Sequence, residues 1–498
     1  VSALRNHYSL PGGETMEKPV RKRKMLIRKA LPWIPFVFLF LFLFLPPSPA
    51  QPTDDIDELI KQYSQLRKEG RYREAIPSAE KILTFCEQFF GPEHPDTATS
   101  LNNLAHLYKT VGDYAKAEPL YKRSLAIKEK ALGTDHPSYA TGLNNLAALY
   151  DDMGDYARAE PLYERSLAIR EKALGTDHPD SAQSLNNLAE LYRAMGDYAK
   201  AEPLYKRSLA IYEKALGPDH PDITLALNNL ALLYNKMGDY AKAEPLLKRA
   251  LAIREKASGS DHPHTAAALN NLAALYKVLG DYAKAEPLYK RSLAICENVL
   301  GPDHPSTALA LNNLAALYDF MGDYVKAEPL YKRSLAITGK ALGPEHPNTA
   351  ASLHNLATLY RNMGDYAGAE PLYKRCLAVR EKALGPGHPD TALTLNGLGA
   401  LHAGAGRYGD AFPLMLRAQD IDGNLIDQVM GFTSEDQKMK FLATREGNLN
   451  LFLTLVSQYM KGSKEAAGGS LTVWLQRKGV VLEAQKRFQD ALALSDDP

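Results

Sequence analysis

Cysteine is scarce in this 498-residue chain, with three residues at positions 86, 296 and 376, an odd number and too few for a disulfide framework. Cys86 and Cys296 occupy the same place in a repeated pattern, five periods apart. Stacked helices about 8–10 Å apart would hold them well beyond the roughly 7 Å Cα separation that a disulfide tolerates. An excess of one charge is lacking too: 59 Lys and Arg against 58 Asp and Glu leave a formal net charge of +1. The basic residues are interleaved with Glu instead of forming a stripe, which argues against nucleic acid as a partner. There is no strand alternation, no glycine-rich phosphate loop, no metal-ligand spacing and no thiol beside a plausible base. The expectation is therefore a non-enzymatic chain, with no catalytic residues, no metal and no cofactor.

What is present is a repeat. Leu101-Asn102-Asn103-Leu104-Ala105, ending at Tyr108, returns at Leu143, Leu185, Leu227, Leu269 and Leu311, and in weaker form at Leu353 and Leu395, always after 42 residues. A fixed period of this size marks a solenoid, whose units bury their apolar faces by stacking on neighbours. In one unit Leu143, Leu146, Ala147 and Tyr150 fall at i, i+3, i+4 and i+7, the pattern of one helix face. This is helix A. After Gly154, Tyr156, Ala159, Tyr163 and Leu167 continue at helical spacing as helix B. Gly175 supplies a stop, and Pro179 suits the first turn of the next helix, where its missing N–H is not needed.

The spacing Leu143-x2-Leu146-Ala147-x2-Tyr150 followed by Ala159-x3-Tyr163 resembles the tetratricopeptide repeat. Leu stands in the usual Trp place and Ala in the usual Gly place. That family's unit has about 34 residues; the extra residues here lengthen helix B and add a Leu-Gly-x-Asp-His-Pro connector, as in the longer kinesin light chain form. The resemblance covers Asp54 to about Ile421, nine units counted by their turn glycines from Gly70 to Gly406. The fold expected is all-α, an α-solenoid of stacked tetratricopeptide-like helix pairs, with a right-handed superhelix implied by the resemblance.

Eight histidines, at 94, 136, 178, 220, 262, 304, 346 and 388, precede Pro at the unit boundaries. One ligand per unit is too sparse for a zinc site, which needs about four around one ion. The preferred reading is helix entry: the acidic residue before His, or His itself, satisfies free N–H groups ahead of Pro.

The tandem asparagines are the most suggestive polar feature: Asn102 and Asn103, Asn144 and Asn145, Asn186 and Asn187, Asn228 and Asn229, Asn270 and Asn271, Asn312 and Asn313. Helix A lines the concave groove in the resembled family, and the resemblance implies that these amides bond the backbone of an extended peptide or partner protein. The alternative is that one Asn of each pair braces the neighbouring unit. Residues after the helix A tyrosine change from unit to unit while the framework barely does. Arg193, Lys236, Lys277 and Arg361 among them are candidates for ligand preference, with free surface drift as the competing explanation.

Three segments are expected. Residues 1–50 carry upstream residues and a basic stretch before the apolar run Ala30–Leu45, then Ser48-Pro49-Ala50, the layout of a secretory signal. The run is shorter than the roughly 20 residues that span a bilayer, so cleavage is expected; an uncleaved anchor giving membrane attachment is the alternative. Either way the repeats are exported, to the periplasm or beyond. Residues 51–427 form the array. Residues 428–498 are helical, with a capping box at Ser434 and Gln437 and a break at Ala467-Gly468-Gly469-Ser470. From Gly431-Phe432-Thr433-Ser434-Glu435 through Lys478-Gly479 this segment resembles the linker that joins tetratricopeptide arrays to CHAT domains, caspase-like cysteine peptidases of bacteria. The functional expectation is a protein-binding scaffold; the alternative is the recognition arm of a truncated or split CHAT-type peptidase.

Overall fold

The computed structural model describes residues 52–430, 435–460 and 462–475. The expected leader and its apolar run, and the motif residues 431–434 and 478–479, lie outside them. The described residues form an all-helical solenoid without strands. Unit 1 pairs Pro52–Lys68 with Tyr72–Phe89, unit 2 Pro95–Thr110 with Tyr114–Leu132, and unit 3 Pro137–Asp152 with Tyr156–Leu174. Unit 4 pairs Pro179–Ala194 with Tyr198–Leu216, unit 5 Ile223–Lys236 with Tyr240–Ser258, and unit 6 Pro263–Val278 with Tyr282–Ile295, which ends in a π turn, Cys296–Leu300. Unit 7 pairs Pro305–Phe320 with Tyr324–Ala341, unit 8 Pro347–Asn362 with Tyr366–Ala383, and unit 9 Pro389–Gly404 with Tyr408–Met430. A further helix, Glu435–Tyr459, follows. No described helix is long and apolar enough to cross a membrane.

The punctuation is local chemistry. His178 is itself the N-cap, its Nδ1 accepting from the Asp180 N–H at 3.1 Å, with Pro179 at the first helical position. The acidic residue before the histidine has another partner: Asp219 accepts from Lys256 at 2.8 Å and Glu345 from Lys382 at 2.9 Å. In the turn between helices, Gly154 takes φ 73° and Asp155 caps helix B by accepting from the Arg158 N–H at 3.1 Å. Helix B runs unbroken through its internal proline, Pro119 in unit 2.

Side chains repeat in register between units. Leu146, Ala147, Leu149 and Tyr150 of unit 3 are buried, as are their equivalents in units 4–7. The tyrosine rings are core, and their hydroxyls tie units together: Tyr150 donates to Glu118, Tyr192 to Glu160 and Tyr234 to Glu202, each at 2.9 Å. All three cysteines are buried and unbridged, with the Cys296 thiol pushed up to about 11 by burial and the neighbouring Glu297.

Two expectations are corrected. The Gly468-Gly469 pair does not break the tail, because a helix runs through residues 464–475. A Cβ on Gly469 would stand 3.0 Å from Phe412 and 3.5 Å from Leu416, so glycine here permits close packing of the tail on unit 9. The break falls at Gly462, with φ 94°. Nor do units touch only their neighbours. His346 of unit 8 hydrogen-bonds the Thr110 carbonyl of unit 2 across 236 residues, and Arg73 of unit 1 reaches the Leu342 carbonyl. The array winds back on itself within its own length.

Candidate binding groove

From unit 4 onward successive A helices approach one another more closely than successive B helices, so the array curves there with its A helices on the inner side. The inner wall of units 4–7 encloses a cavity of about 300 Å³. Asn186, Asn187, Asn228, Asn229, Asn270 and Asn271 line it, with Glu190, Leu232 and Ala274 one helical turn further along.

Within the pairs the two amides have different work. The second Asn donates to the first Asn of the preceding unit: Asn145 to Asn102 and Asn187 to Asn144 at 2.9 Å, Asn229 to Asn186 at 3.2 Å, Asn313 to Asn270 at 3.0 Å and Asn355 to Asn312 at 2.8 Å. This is a ladder of braces between units. Each rung uses one of the two N–H groups of its donor amide, and both members of the pairs in units 4–6 still line the cavity wall. The ladder is interrupted between units 5 and 6, where Asn228 Oδ1 is buried without a hydrogen-bond partner, a condition that costs about 1–3 kcal/mol. Asn103 lies half-buried on the same face of unit 2.

The charged candidates sit along the same wall in unequal states. Arg193 is only 5% exposed and is held by Glu190, with Nε to Oε2 at 3.0 Å. Glu190 also accepts from the buried Tyr205 hydroxyl at 2.7 Å. Lys236 belongs to unit 5, and the surrounding wall, then the charge of Arg193, hold its ammonium below the usual lysine range. Lys277 is lowered by burial, against the pull of Asp319, and lies 5.0 Å from the Phe320 ring centroid. Arg361 bonds Asn362 at 3.3 Å, and Asn362 bonds Asp319 at 3.2 Å. Toward unit 2, Lys109 pairs with Asp152 at 3.1 Å.

Sequence reasoning missed a second variable row on this wall. It consists of His106, Ala148, Glu190, Leu232, Ala274, Ala316, Thr358 and Ala400, three residues beyond the second Asn of each unit, or beyond Gly397 in its place in unit 9. The signal was available, since this position changes in size and charge between units while Leu and Ala beside it do not. With Leu225 and Leu309 of the cavity lining, the row makes the groove apolar along units 5–7, with the charged Glu190 beside it in unit 4. Among the described residues, no group of three or more His, Cys, Asp or Glu could hold a metal ion.

The tetratricopeptide repeat family matches residues 64–130, 111–172, 138–214, 180–256, 222–277, 264–340, 321–382 and 348–423. Among solved structures, the chain is similar to the putative kinesin light chain nearly identical TPR-like repeats of Podosopora anserina, at 32% identity over 41% of this chain and 97% of that one, TM-score 0.36. It is also similar to BtubC (BKLC) from P. vanneervenii, at 25% identity over 46% of this chain and 90% of that one, TM-score 0.37. The Rap protein complexed with Competence and Sporulation Factor follows at 17% identity over 76% of this chain and 100% of that one, TM-score 0.49. No curated protein matches.

Proposed function

Because the chain belongs to the tetratricopeptide repeat family, we propose that it is a protein-binding scaffold holding an extended segment of a partner along its A helices, centred on units 4–7. The observation that carries this reading is the cavity wall itself. A constant frame of Leu, Ala and Tyr presents residues that differ at each unit, Glu190, Leu232 and Ala274 in one row and Arg193 and Asn235 in the next, a row that Lys277 continues in unit 6. Folding does not need such variation, whereas recognition of a particular segment does. An extended strand advances about 3.3 Å per residue, so about three of its residues pass each unit at helix spacings of 8–10 Å. Amides along the wall suit its backbone, and the variable rows suit its side chains. The reading includes export, on the strength of the basic stretch and apolar run before residue 51, with cleavage or anchoring decided by N-terminal sequencing.

The test fills the groove without touching a brace. Leu232→Trp with Ala274→Trp places two indoles in the cavity, and capture of partners from the exported fraction is compared with wild type. The expected result is loss of the captured partners with unchanged helicity. Equal recovery of the same partners overturns groove binding, and recovery of none by either favours an arm serving a peptidase on another chain.

A further inference from the structure

Each unit has two edges, the Gly-Asp-Tyr turn between its helices and the His-Pro connector that enters it, and within the chain these edges meet. The turns of units 1–3 lie against the connectors of units 7–9. A Cβ on Gly70 would stand 2.5 Å from Pro305, one on Gly112 2.6 Å from Pro347, and one on Gly154 3.0 Å from His388. His346 clasps the Thr110 carbonyl at 2.6 Å, and Arg73 clasps that of Leu342. The contact covers the apolar residue that closes helix A, leaving Val111 only 4% exposed.

From unit 5 onward no described residue covers the same edge. Met237, Leu279, Met321 and Met363 are 41–44% exposed, with Val278 and Phe320 exposed beside them. The turn glycines Gly238, Gly280, Gly322 and Gly364 keep the left-handed φ of 74–81° seen at the occupied turns, yet a Cβ on any of them would meet open space. The opposite edge is uncovered in the earlier units. His136 and His262 are exposed, whereas His304 and His346 are buried in the contact between turns.

We propose that a second copy of this chain covers the exposed edge, its connectors in units 2–5 seating on the turns of units 5–8 as units 7–9 seat on units 1–3 within one chain. The interface continues one the molecule already makes, with the same residue types on both sides. Two different surfaces meet, so the contact is heterologous and does not close; copies add along the solenoid axis. A row of exposed apolar side chains is also what a contact surface between proteins presents. This inference does not depend on what the groove binds.

The test is sedimentation velocity on the full chain over two decades of concentration, with two edge variants checked for helicity. Leu279→Glu with Met321→Glu charges the turn edge and leaves the turns of units 1–3 intact. His136→Asp with His178→Asp keeps an N-cap residue but turns carboxylates toward the carbonyls of a facing turn. The wild type is expected to give a concentration-dependent series of species, each variant alone to associate at least about tenfold more weakly, and an equimolar mixture to recover dimers and stop there. The proposal falls if the wild type stays monomeric throughout, if either variant associates like wild type, or if the mixture recovers no dimer.

Discussion

Nε2 of His346 donates to the carbonyl oxygen of Thr110 at 2.6 Å while Nδ1 of the same ring accepts from the Asn348 N–H at 2.9 Å. One imidazole thus caps helix A of unit 8 and clasps unit 2. His136 performs only the cap in the described structure, accepting from the Ser138 N–H at 3.1 Å. His136→Ala should cost about 1 kcal/mol for the cap, and His346→Ala about 2 kcal/mol because a hydrogen bond is lost as well. Urea unfolding measures the difference, and X-ray scattering should show that only His346→Ala expands the molecule. Equal costs and equal dimensions would mean the clasp contributes nothing.

Gly112 and Gly280 separate backbone strain from contact. Their φ values are 77° and 76°, but a Cβ meets the Pro347 ring at 2.6 Å on Gly112 and open space on Gly280. Alanine in the left-handed region costs about 1–2 kcal/mol at either site. Gly112→Ala should cost about 1–3 kcal/mol more, the usual range for overpacking. Matching melting temperatures for the two variants would show that the superhelical turns part freely in solution.

The helix pairs were legible because each carries its own instructions: apolar positions at helical spacing, Gly175 as a stop, Pro179 as a start. The Asn pairs were legible as a feature but not in their division of labour. Adjacent residues on a helix point about 100° apart, and which of them meets the next unit depends on how the units rotate. The meeting of units 2 and 8 was not legible at all, since superhelical pitch accumulates from a small rotation per unit that no single repeat displays. Adding unit spacings linearly also overstates separation in an array that winds back on itself. Cys86 and Cys296 are nonetheless unbridged, each buried in a different cluster.

The ladder predicts unequal consequences for equivalent amides. Asn187 braces unit 4 to unit 3 through Asn144, so Asn187→Ala should lower stability by about 0.5–1.5 kcal/mol. Asn271 faces the interrupted rung at Asn228, and Asn271→Ala should cost less while still removing an amide from the cavity wall. Denaturant midpoints decide the point, and reversal of that order would remove the brace from the account of the fold.

Two inner-wall histidines should contribute to acid sensitivity. Burial, then the charges of Lys109 and Arg67, hold His106 down at about 3; burial, then Arg380, hold His354 there too, with Asp390 opposing. In the unfolded chain histidine titrates near 6.5. Below that pH the unfolded state takes up protons that the native state refuses until about pH 3. Stability from these neutral rings is therefore fully present above pH 6.5 and declines as pH falls toward 3, by about 1–2 kcal/mol per histidine at pH 5. His354 occupies the place held by Asn312 in the preceding unit, so His354→Asn inserts a residue the array already accommodates. Unfolding free energies measured between pH 7 and pH 5 should fall less steeply for His354→Asn than for wild type, by about 1–2 kcal/mol over that interval. Parallel curves would show that the ring at 354 takes its proton in the native state as readily as in the unfolded one.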